Sequence, residues 1–326
     1  LEQTQHVGLK NICSISRIDE GKFVWMDQFT FRNLEVFSSS AGKDGASLVE
    51  CIDRCLTPMG SRLLRSWLTM PIFSIPKLNA RYDIVQFFMD NDGALSECQS
   101  YLQEVGDLER IMSRSATGKI QPREMKSLSR SLKQMAPIAR LANTSQVEAL
   151  VSLGKNMDGC ESLIQRIDST LIDSPAAQVG KGEVIASGVD AELDELRVIS
   201  KGGKDYLMEL QRTEAERTGI SSLKIGYNNV FGYYIEVRNS SKDKVPSEWI
   251  RKQTLVNAER YITEELKNYE EKILGAEGRI YELESKIYSD LVSYIGKYIK
   301  TIQRNCGVVA QIDVLQGFAQ QALEKN

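Results

Sequence analysis

The chain has 326 residues, which is long for a single hydrophobic core and predicts about two domains. Its residues are 42% hydrophobic and 26% charged, and there is no stretch of about 18 apolar residues, so we expect a soluble protein without a membrane span. The net charge of −3 excludes a uniformly basic nucleic-acid-binding protein, and any site for a polyanion must be a local patch.

The sequence offers little for metal or nucleophilic chemistry. It has six cysteines without a Cys-x-x-Cys pair, and its one histidine is His6. Cys51 and Cys55 are spaced one helical turn apart, which favours two buried thiols over metal ligation. Free thiols without a secretory segment indicate the cytoplasm. Since the chain begins at Leu1 rather than methionine and ends at Asn326, we expect a piece of a longer protein.

Short helices separated by prolines are predicted for the first half of the chain. Six of the seven prolines precede residue 176, and proline interrupts helices. Residues 21–37 are expected to form an extended entry segment leading into a turn or short helix, and 38–45 a loop. Apolar residues then recur at spacings of three and four, as they do in helices. The predicted helices are 47–56, 58–69, 76–91, 94–105, 107–115, 122–142, 145–156 and 160–173. Residues 174–188 follow as a linker of small residues.

Two long helices are predicted in the second half, at about 190–218 and about 260–302. The apolar seam of the first consists of Leu193, Leu196, Ile199, Leu207 and Leu210. The second has a heptad pattern from Leu266 to Ile287 and a stutter before Leu291. It would be about 63 Å long at about 1.5 Å per residue, so we expect it to project. A helical hairpin stalk is the favoured interpretation, and two helices packed into separate cores are the alternative.

The only clear strand pattern lies between these helices. From 223 to 237 apolar residues occupy the odd positions on both sides of Asn229, and mostly polar residues occupy the even ones. This is the alternation of half-buried strands. Asn228 and Asn229 suit a turn, so a hairpin at 222–238 is predicted, with a third short strand near 252–257. Residues 239–244 are expected to form a polar, charged loop.

No catalytic constellation is evident in the sequence. There is no GxxxxGK[ST] phosphate loop, because the Gly-Lys pairs at 118–119 and 180–182 lack the second glycine and a preceding strand. A nucleophilic relay would depend on His6 alone. The acidic cluster at 190–195 suits the first turn of a helix. An enzyme is therefore the least favoured function, and we expect no cofactor and no metal in this chain.

One basic patch has the composition of a phosphate-contact surface. Its members are Arg251, Lys252, Gln253, Thr254, Asn257 and Arg260. Residues 201–263 carry eleven Lys and Arg against eight Asp and Glu, a charge of +3, which leaves −6 for the rest of the chain. These side chains contact phosphate oxygens, and no readout helix or stacking platform accompanies them. On composition alone an ordinary solvated surface is the favoured interpretation, and DNA contact without sequence preference is the alternative.

The same segments closely resemble the clamp region of the bacterial MutS family of DNA mismatch-repair proteins. The matching stretches include Glu216-Arg217-Thr218-Gly219-Ile220, Phe231-Gly232-Tyr233-Tyr234-Ile235, Arg251-Lys252-Gln253-Thr254-Leu255 and Asn257-Ala258-Glu259-Arg260-Tyr261. Further motifs agree at 26–27, 32–35, 57–60, 107–110 and 122–123. The similarity extends from about residue 3 to about residue 323. This chain has Val256 where the family often has lysine, so that position loses a cation.

The resemblance implies a mainly α fold: a multi-helix core with long antiparallel lever helices and a small antiparallel β clamp domain inserted at the tip. Residues 1–203 would be the first part of the core and lever, 204–263 the clamp, and 264–326 the lever helix returning to the core. The residues expected to bind the DNA backbone are Arg251, Lys252, Gln253, Thr254, Asn257, Lys242 and Lys244.

Members of this family are ATPases that recognise mismatches as dimers. The resemblance therefore implies ATP, magnesium and a homodimer for the parent protein, together with double-stranded DNA and downstream repair factors as partners. Neither the family's Phe-x-Glu mismatch wedge nor an ATPase phosphate loop occurs in this sequence. We expect a non-catalytic piece that clamps DNA and relays motion to an ATPase domain. The alternative is a lever that docks partner subunits or repair factors without touching DNA, and a recombination paralogue remains compatible with the sequence.

Overall fold

The computed structural model describes residues 20–42, 45–228, 230 and 232–325. His6, Asn229 and Phe231, on which parts of the sequence analysis rest, fall outside these residues. No helix in the described part combines the length and the apolar character needed to cross a membrane. Two compact units are present, one comprising Leu1–Ala177 with Asp290–Asn326 and the other Gln178–Ser289. We call them the helical unit and the sheet unit.

The cysteines at 51 and 55 do not form the buried pair that their spacing predicts. The helix at Leu48–Ile52 ends before Cys55, and it buries only Val49. Cys51 lies two residues after Val49, on the opposite side of the helix, and is exposed, while Cys55 is half-buried. The expectation is therefore wrong for Cys51. No cluster of three or more His, Cys, Asp and Glu that could hold a metal occurs among the described side chains.

The helical unit is built from short helices and one long one. Helices α1 to α10 are Gln28–Asn33, Leu48–Ile52, Pro58–Thr69, Ile75–Asp90, Asp92–Gln103, Leu108–Ala116, Pro122–Leu132, Met135–Thr144, Glu148–Lys155 and Glu161–Thr170. The long helix α13, Ile299–Lys325, packs against α3, α4, α5 and α6 and is buried along most of its length. Its buried residues include the polar Asn305, Asp313 and Gln316 as well as apolar ones, and with four helices packed around it α13 is the centre of this unit.

The Thr57-Pro58-Met59-Gly60 motif joins α3 to α13. The Thr57 hydroxyl accepts a hydrogen bond from the Gly60 N–H at 3.0 Å and caps the helix, and Pro58 occupies its first position. The same hydroxyl donates to the buried carboxylate of Asp313 on α13 at 2.6 Å. A side chain at position 60 would collide with Asp313, since an added Cβ would lie 2.2 Å from its Oδ2. The motif therefore fixes a close helix contact.

The helix predicted at 122–142 is divided in two. Helix α7 ends at Leu132 and α8 begins at Met135, which places Pro137 in the first turn of α8. Proline has no N–H to donate and would clash with a carbonyl four residues earlier in a continuous helix, but the first turn tolerates it. The prediction of one helix is wrong because Pro137 requires a new start.

The sheet unit contains four strands between two long helices. Helix α11 is Ala191–Thr218, and the strands β1 to β4 are Lys224–Asn228, Gly232–Arg238, Ile250–Thr254 and Ala258–Ile262. A 3-10 helix, Asn239–Lys244, follows β2. Helix α12, Glu264–Gly296, begins in the sheet unit and its last residues belong to the helical unit. The mainly α fold with a small antiparallel sheet is thus confirmed.

The strands are antiparallel throughout and lie in the order β1-β2-β4-β3. The hairpin prediction is confirmed, but the single strand expected near 252–257 is a second hairpin. The segment 258–262, predicted to start the long helix, pairs with β2 as a central strand. One face of the sheet is buried by a core comprising Leu210, Ile220, Leu223, Ile235, Val237, Trp249, Tyr261 and Leu266.

The two long helices meet within the sheet unit at separate points. Tyr206 on α11 stacks on Tyr269 of α12 with ring centroids 4.3 Å apart. Further along, Arg197 donates to the buried carboxylate of Glu284 at 2.7 Å. Between these contacts Ile199 is 51% exposed, so it does not belong to the predicted seam. The helices are antiparallel, but side-chain bridges join them where a continuous apolar seam was expected.

The long helix predicted at about 260–302 is shorter at both ends. Helix α12 has 33 residues, or about 50 Å at about 1.5 Å per residue, instead of about 63 Å. It stops at Gly296, and Tyr298 then donates its N–H to the Ile295 carbonyl three residues earlier. That tighter turn separates α12 from α13. The apolar residues that extended the predicted helix continue past this turn because α13 is also buried.

Candidate nucleic-acid interface

The sheet positions its polar side chains on an open face and along an edge. Alternate residues of a strand point to opposite faces, so burial of Ile235 and Val237 sends Tyr234, Glu236 and Arg238 to the other side. The order of the strands leaves β3 at an edge, with only β4 as its neighbour. The predicted basic patch lies on this edge strand and on the turn that follows it, except for Arg260, which lies on β4.

One end of the sheet gathers three segments that are separate in sequence. There β2 ends, the 3-10 helix begins, and the turn between β3 and β4 closes with a bond from the Leu255 N–H to the Ala258 carbonyl at 2.8 Å. Asn239 holds the segments together: its N–H donates to the Asn257 carbonyl at 3.1 Å and its side-chain amide to the Val256 carbonyl at 3.0 Å. We call this the basic end of the sheet.

A bulge in β3 separates the roles of its two basic residues. The register shifts between Arg251 and Gln253, so Lys252 is an extra residue in the edge strand. Lys252 is exposed and has no carboxylate partner among the described residues. Arg251 is 61% exposed and forms an ion pair with Glu259 at 3.3 Å. Lys252 is therefore freely available to an anion, whereas Arg251 must share its charge with Glu259.

Glu259 is the main acidic group close to these cations. Its carboxylate accepts a short hydrogen bond from the Tyr261 hydroxyl, which lowers the pKa of Glu259, and Arg251 and Lys242 lower it further. Glu259 thus remains ionised and offsets part of the positive charge. The 3-10 helix that carries Lys242 packs against β4, so it and β3 belong to one electrostatic surface.

Gln253 and Arg260 belong to a network on the open face. Arg260 forms an ion pair with Glu236 at 3.0 Å and donates to the Gln253 side-chain carbonyl at 3.0 Å. Its guanidinium lies over the Tyr234 ring, 4.3 Å from the centroid. Arg260 is therefore neutralised and mostly buried. Gln253 retains only its amide N–H groups for an outside ligand, so its predicted role as a neutral donor rests on those.

The remaining predicted residues lie at or near the basic end. Thr254 and Asn257 are exposed, and no hydrogen bond of either side chain occurs within the described part of the chain. Lys242 and Lys244 are exposed on the 3-10 helix, and Lys244 reaches the Gly219 carbonyl at the end of α11 at 3.4 Å. All seven predicted residues thus fall on one edge and one end of the sheet.

One cation of the basic end was not predicted. Arg238, the last residue of β2, is exposed beside the turn and has no ion-pair partner in the described residues. Its position in the strand alternation could have revealed it, since an even-numbered residue of this hairpin avoids the buried face. Val256, which replaces a lysine common in the resembling family, is 92% exposed at the apex of the turn.

Comparison with known proteins gives a match over most of the chain. The family model for MutS domain III matches residues 29–319. A DNA mismatch repair protein MutS from Flavobacterium johnsoniae is 49% identical over 326 residues, which is 100% of this chain and 37% of that protein. Those from Flavobacterium psychrophilum and Christiangramia forsetii are each 48% identical over the whole chain, which covers 38% and 37% of their lengths. The chain therefore spans well under half the length of these relatives.

Proposed function

Because the chain belongs to the MutS family and carries its domain III, we propose that residues 204–263 clamp duplex DNA non-specifically through the sugar–phosphate backbone. Residues 1–203 and 264–326 would form the core and lever that relay conformational change to an ATPase domain outside this chain. The relatives are DNA mismatch repair proteins by name, and repair of mismatched DNA is the process in which we place the parent protein.

The observation that carries the proposal is the set of free cations at the basic end and along β3. Arg238, Lys242 and Lys252 are exposed and have no ion-pair partner among the described residues. Thr254 and Asn257 add neutral donors beside them. Phosphate contacts of this kind fix a protein on a duplex but carry no sequence information. A short, edge-strand surface of this composition suits backbone contact.

Helix α12 supports the relay. It follows β4 after one residue, contributes to both compact units, and is separated from the central helix α13 by only two residues. A displacement at the sheet would therefore act on a continuous rigid element that leads into the helical unit. Coupling of this kind requires an element with two arrangements, which is a property of the intact parent.

The activities that this chain would not provide are assigned to the rest of the parent protein. We propose that it binds and hydrolyses ATP with magnesium, forms a homodimer, acts in the cytoplasm and recruits downstream repair factors. This chain would then contribute no cofactor site and no catalytic residue. The coverage of 37% to 38% of the relatives leaves room for such domains in the parent.

Duplex binding at several salt concentrations tests the clamp. With two or three phosphates neutralised, the logarithm of affinity should fall against the logarithm of salt concentration with a slope of roughly −2 to −3. The double variant Arg251→Glu/Lys252→Glu should lose detectable binding at low salt, measured by fluorescence anisotropy of a labelled duplex. Both side chains are exposed, so the variant should keep the wild-type circular dichroism spectrum.

A matched control is the double variant Lys119→Glu/Arg130→Glu, which makes the same change in net charge on exposed residues of the helical unit. It should retain most of the binding. Equal loss in both variants would show that net charge, not the basic end, governs the interaction. A folded Arg251→Glu/Lys252→Glu variant that binds as wild type would remove the clamp assignment and favour a lever that docks partner proteins.

A further inference from the structure

A cavity of about 360 Å³ lies in the helical unit, and none of its lining residues is among those assigned to DNA. Helices α4, α9 and α13 line it together with Ile72, which precedes α4. Its apolar lining consists of Ile72, Ala80, Ile84, Ala149, Leu153 and Leu315. Ile84 and Leu315 are buried, whereas Lys77 in the same lining is exposed. The cavity thus has an apolar interior and a charged mouth.

Arg81 is the group that gives this cavity its chemistry. The guanidinium carbon lies 3.4 Å from the centroid of the Trp67 ring, so the side chain is stacked on an aromatic face. Burial lowers the pKa of Arg81, and the neighbouring Tyr82 offsets part of this effect. No carboxylate of the described residues lies within ion-pair distance. A half-buried cation without a counter-ion is costly, and an incoming anion would relieve that cost.

The stacking also prepares Arg81 for a particular kind of anion. A guanidinium is a planar group whose N–H groups form a fixed fork, which matches the two oxygens of a carboxylate, and contact with the ring restricts its motion. Lys77 precedes Arg81 by one helical turn and therefore lies on the same face of α4. It is exposed and likewise has no carboxylate partner in the part of the chain that the structure describes. The mouth thus offers two cations in register.

We propose that this cavity binds a carboxylate attached to a compact apolar body. Small-molecule sites have volumes of about 300–1,000 Å³, mostly apolar walls and a few convergent polar groups, as found here. A ligand with several phosphates would need more donors and fewer apolar neighbours. The carboxylate can come from a free aliphatic acid or from the C-terminus of a peptide with an apolar last residue. Both present the same chemistry to Arg81 and Lys77.

The three tryptophans of the chain make the site observable. Trp25, Trp67 and Trp249 each contribute one indole N–H signal to a nitrogen-15 NMR spectrum. The variants Trp25→Phe and Trp249→Phe identify their own signals and leave the third to Trp67. Octanoate is the probe for a free acid, and N-acetyl-phenylalanine the probe for a peptide terminus. Octanol and N-acetyl-phenylalanine amide are their neutral counterparts.

We expect at least one acid to shift the Trp67 signal and leave the other two unchanged, with its neutral counterpart binding at least about tenfold more weakly. Binding of octanoate alone identifies a free acid, and binding of N-acetyl-phenylalanine alone a peptide terminus. Arg81→Gln should weaken binding about tenfold or more, whereas Arg130→Gln, an equal change at an exposed arginine of α7, should not. Lys77 is exposed, so Lys77→Gln is a second variant. It should weaken binding without disturbing the contact between Arg81 and Trp67.

Three results would overturn the proposal. The first is the absence of any Trp67 shift with either acid up to about 10 mM, a concentration at which even weak binding is visible. The second is equal binding of acid and neutral compounds, which would make the cavity a simple apolar hole. The third is unchanged affinity in both Arg81→Gln and Lys77→Gln with the fold intact.

Discussion

Asp313 is the buried acid on which the contact between α3 and α13 depends, and Asp313→Asn tests that dependence. Its Oδ2 accepts from the Thr57 N–H at 2.8 Å and from the Thr57 hydroxyl at 2.6 Å. Its Oδ1 accepts from the Leu56 N–H at 2.9 Å and from the Gln316 amide at 3.0 Å. Both oxygens are therefore surrounded by donors, and asparagine must turn an NH₂ group toward one pair of them.

The cost follows from the donors that lose an acceptor. Whichever way the amide is turned, two donors face an NH₂ group, and each buried donor left unsatisfied costs about 1–3 kcal/mol. Burial raises the pKa of Asp313 despite its hydrogen bonds, so the ionised carboxylate is itself costly in this position and its removal returns part of the loss. We expect Asp313→Asn to lower the free energy of unfolding by about 2 kcal/mol at pH 7.

Urea unfolding followed by circular dichroism measures the change, and hydrogen exchange locates it. The peptides that contain Thr57 and α3 should exchange faster in Asp313→Asn. Asp83→Asn, an equal substitution at an exposed residue of α4, should change the free energy of unfolding by less than about 0.5 kcal/mol. If Asp313→Asn unfolds within about 0.5 kcal/mol of wild type and exchanges as wild type, the four hydrogen bonds do not stabilise the helical unit as argued.

Two further predictions concern α11 and a surface ion pair. Gly202 lies inside α11 with open space around the position of an added Cβ, so Gly202→Ala should stabilise the chain by up to about 1 kcal/mol in urea unfolding, and a loss would argue against a helical conformation there. Arg62 donates to Asp107 at 2.7 Å and lowers the pKa of that carboxyl. Arg62→Gln should therefore destabilise the chain slightly at neutral pH. The difference should disappear as the pH falls below the ordinary value of 3.8, since a lowered pKa stabilises only the ionised form, and a difference that persists at lower pH would refute the ion-pair origin.

Most of the fold could be predicted from the periodicity of apolar residues. The errors of that prediction each have a local cause. The short helices and the first hairpin followed from spacing, because one face of each is buried. The strand 258–262 was missed because five residues beside a long apolar repeat also fit a helical pattern. Pairing with β2 and β3 determines the conformation of this segment, and the residues of the segment alone do not indicate which strands it pairs with.

The candidate site was predicted in composition but not in its charge balance. Sequence identified Arg251 and Lys252 as equivalent cations. The fold separates them, because a bulge frees Lys252 while Arg251 faces Glu259 across the strands. Arg238 was overlooked because it precedes the patch, which starts at Arg251, by thirteen residues. Only the antiparallel register brings it beside the turn. Which cations are paired, and which residues lie beside the turn, depends on contacts between strands. The order of residues along the chain does not reveal these contacts.

The balance of charges limits how tightly one such surface can hold DNA. Arg251 and Arg260 are partly or fully matched by Glu259 and Glu236, and Lys244 reaches a backbone carbonyl. This leaves about three free cations among the described residues of this surface, and a salt dependence no steeper than about −3. Such a surface on its own should bind at the weak end of non-specific affinities, about 10⁻⁴ M at physiological salt. Two linked surfaces on one duplex would raise the effective concentration of the second contact and hold DNA far longer. In the proposed homodimer, weak individual contacts would then be useful, because opening one of them would release DNA or let the protein slide along it without breaking a strong bond.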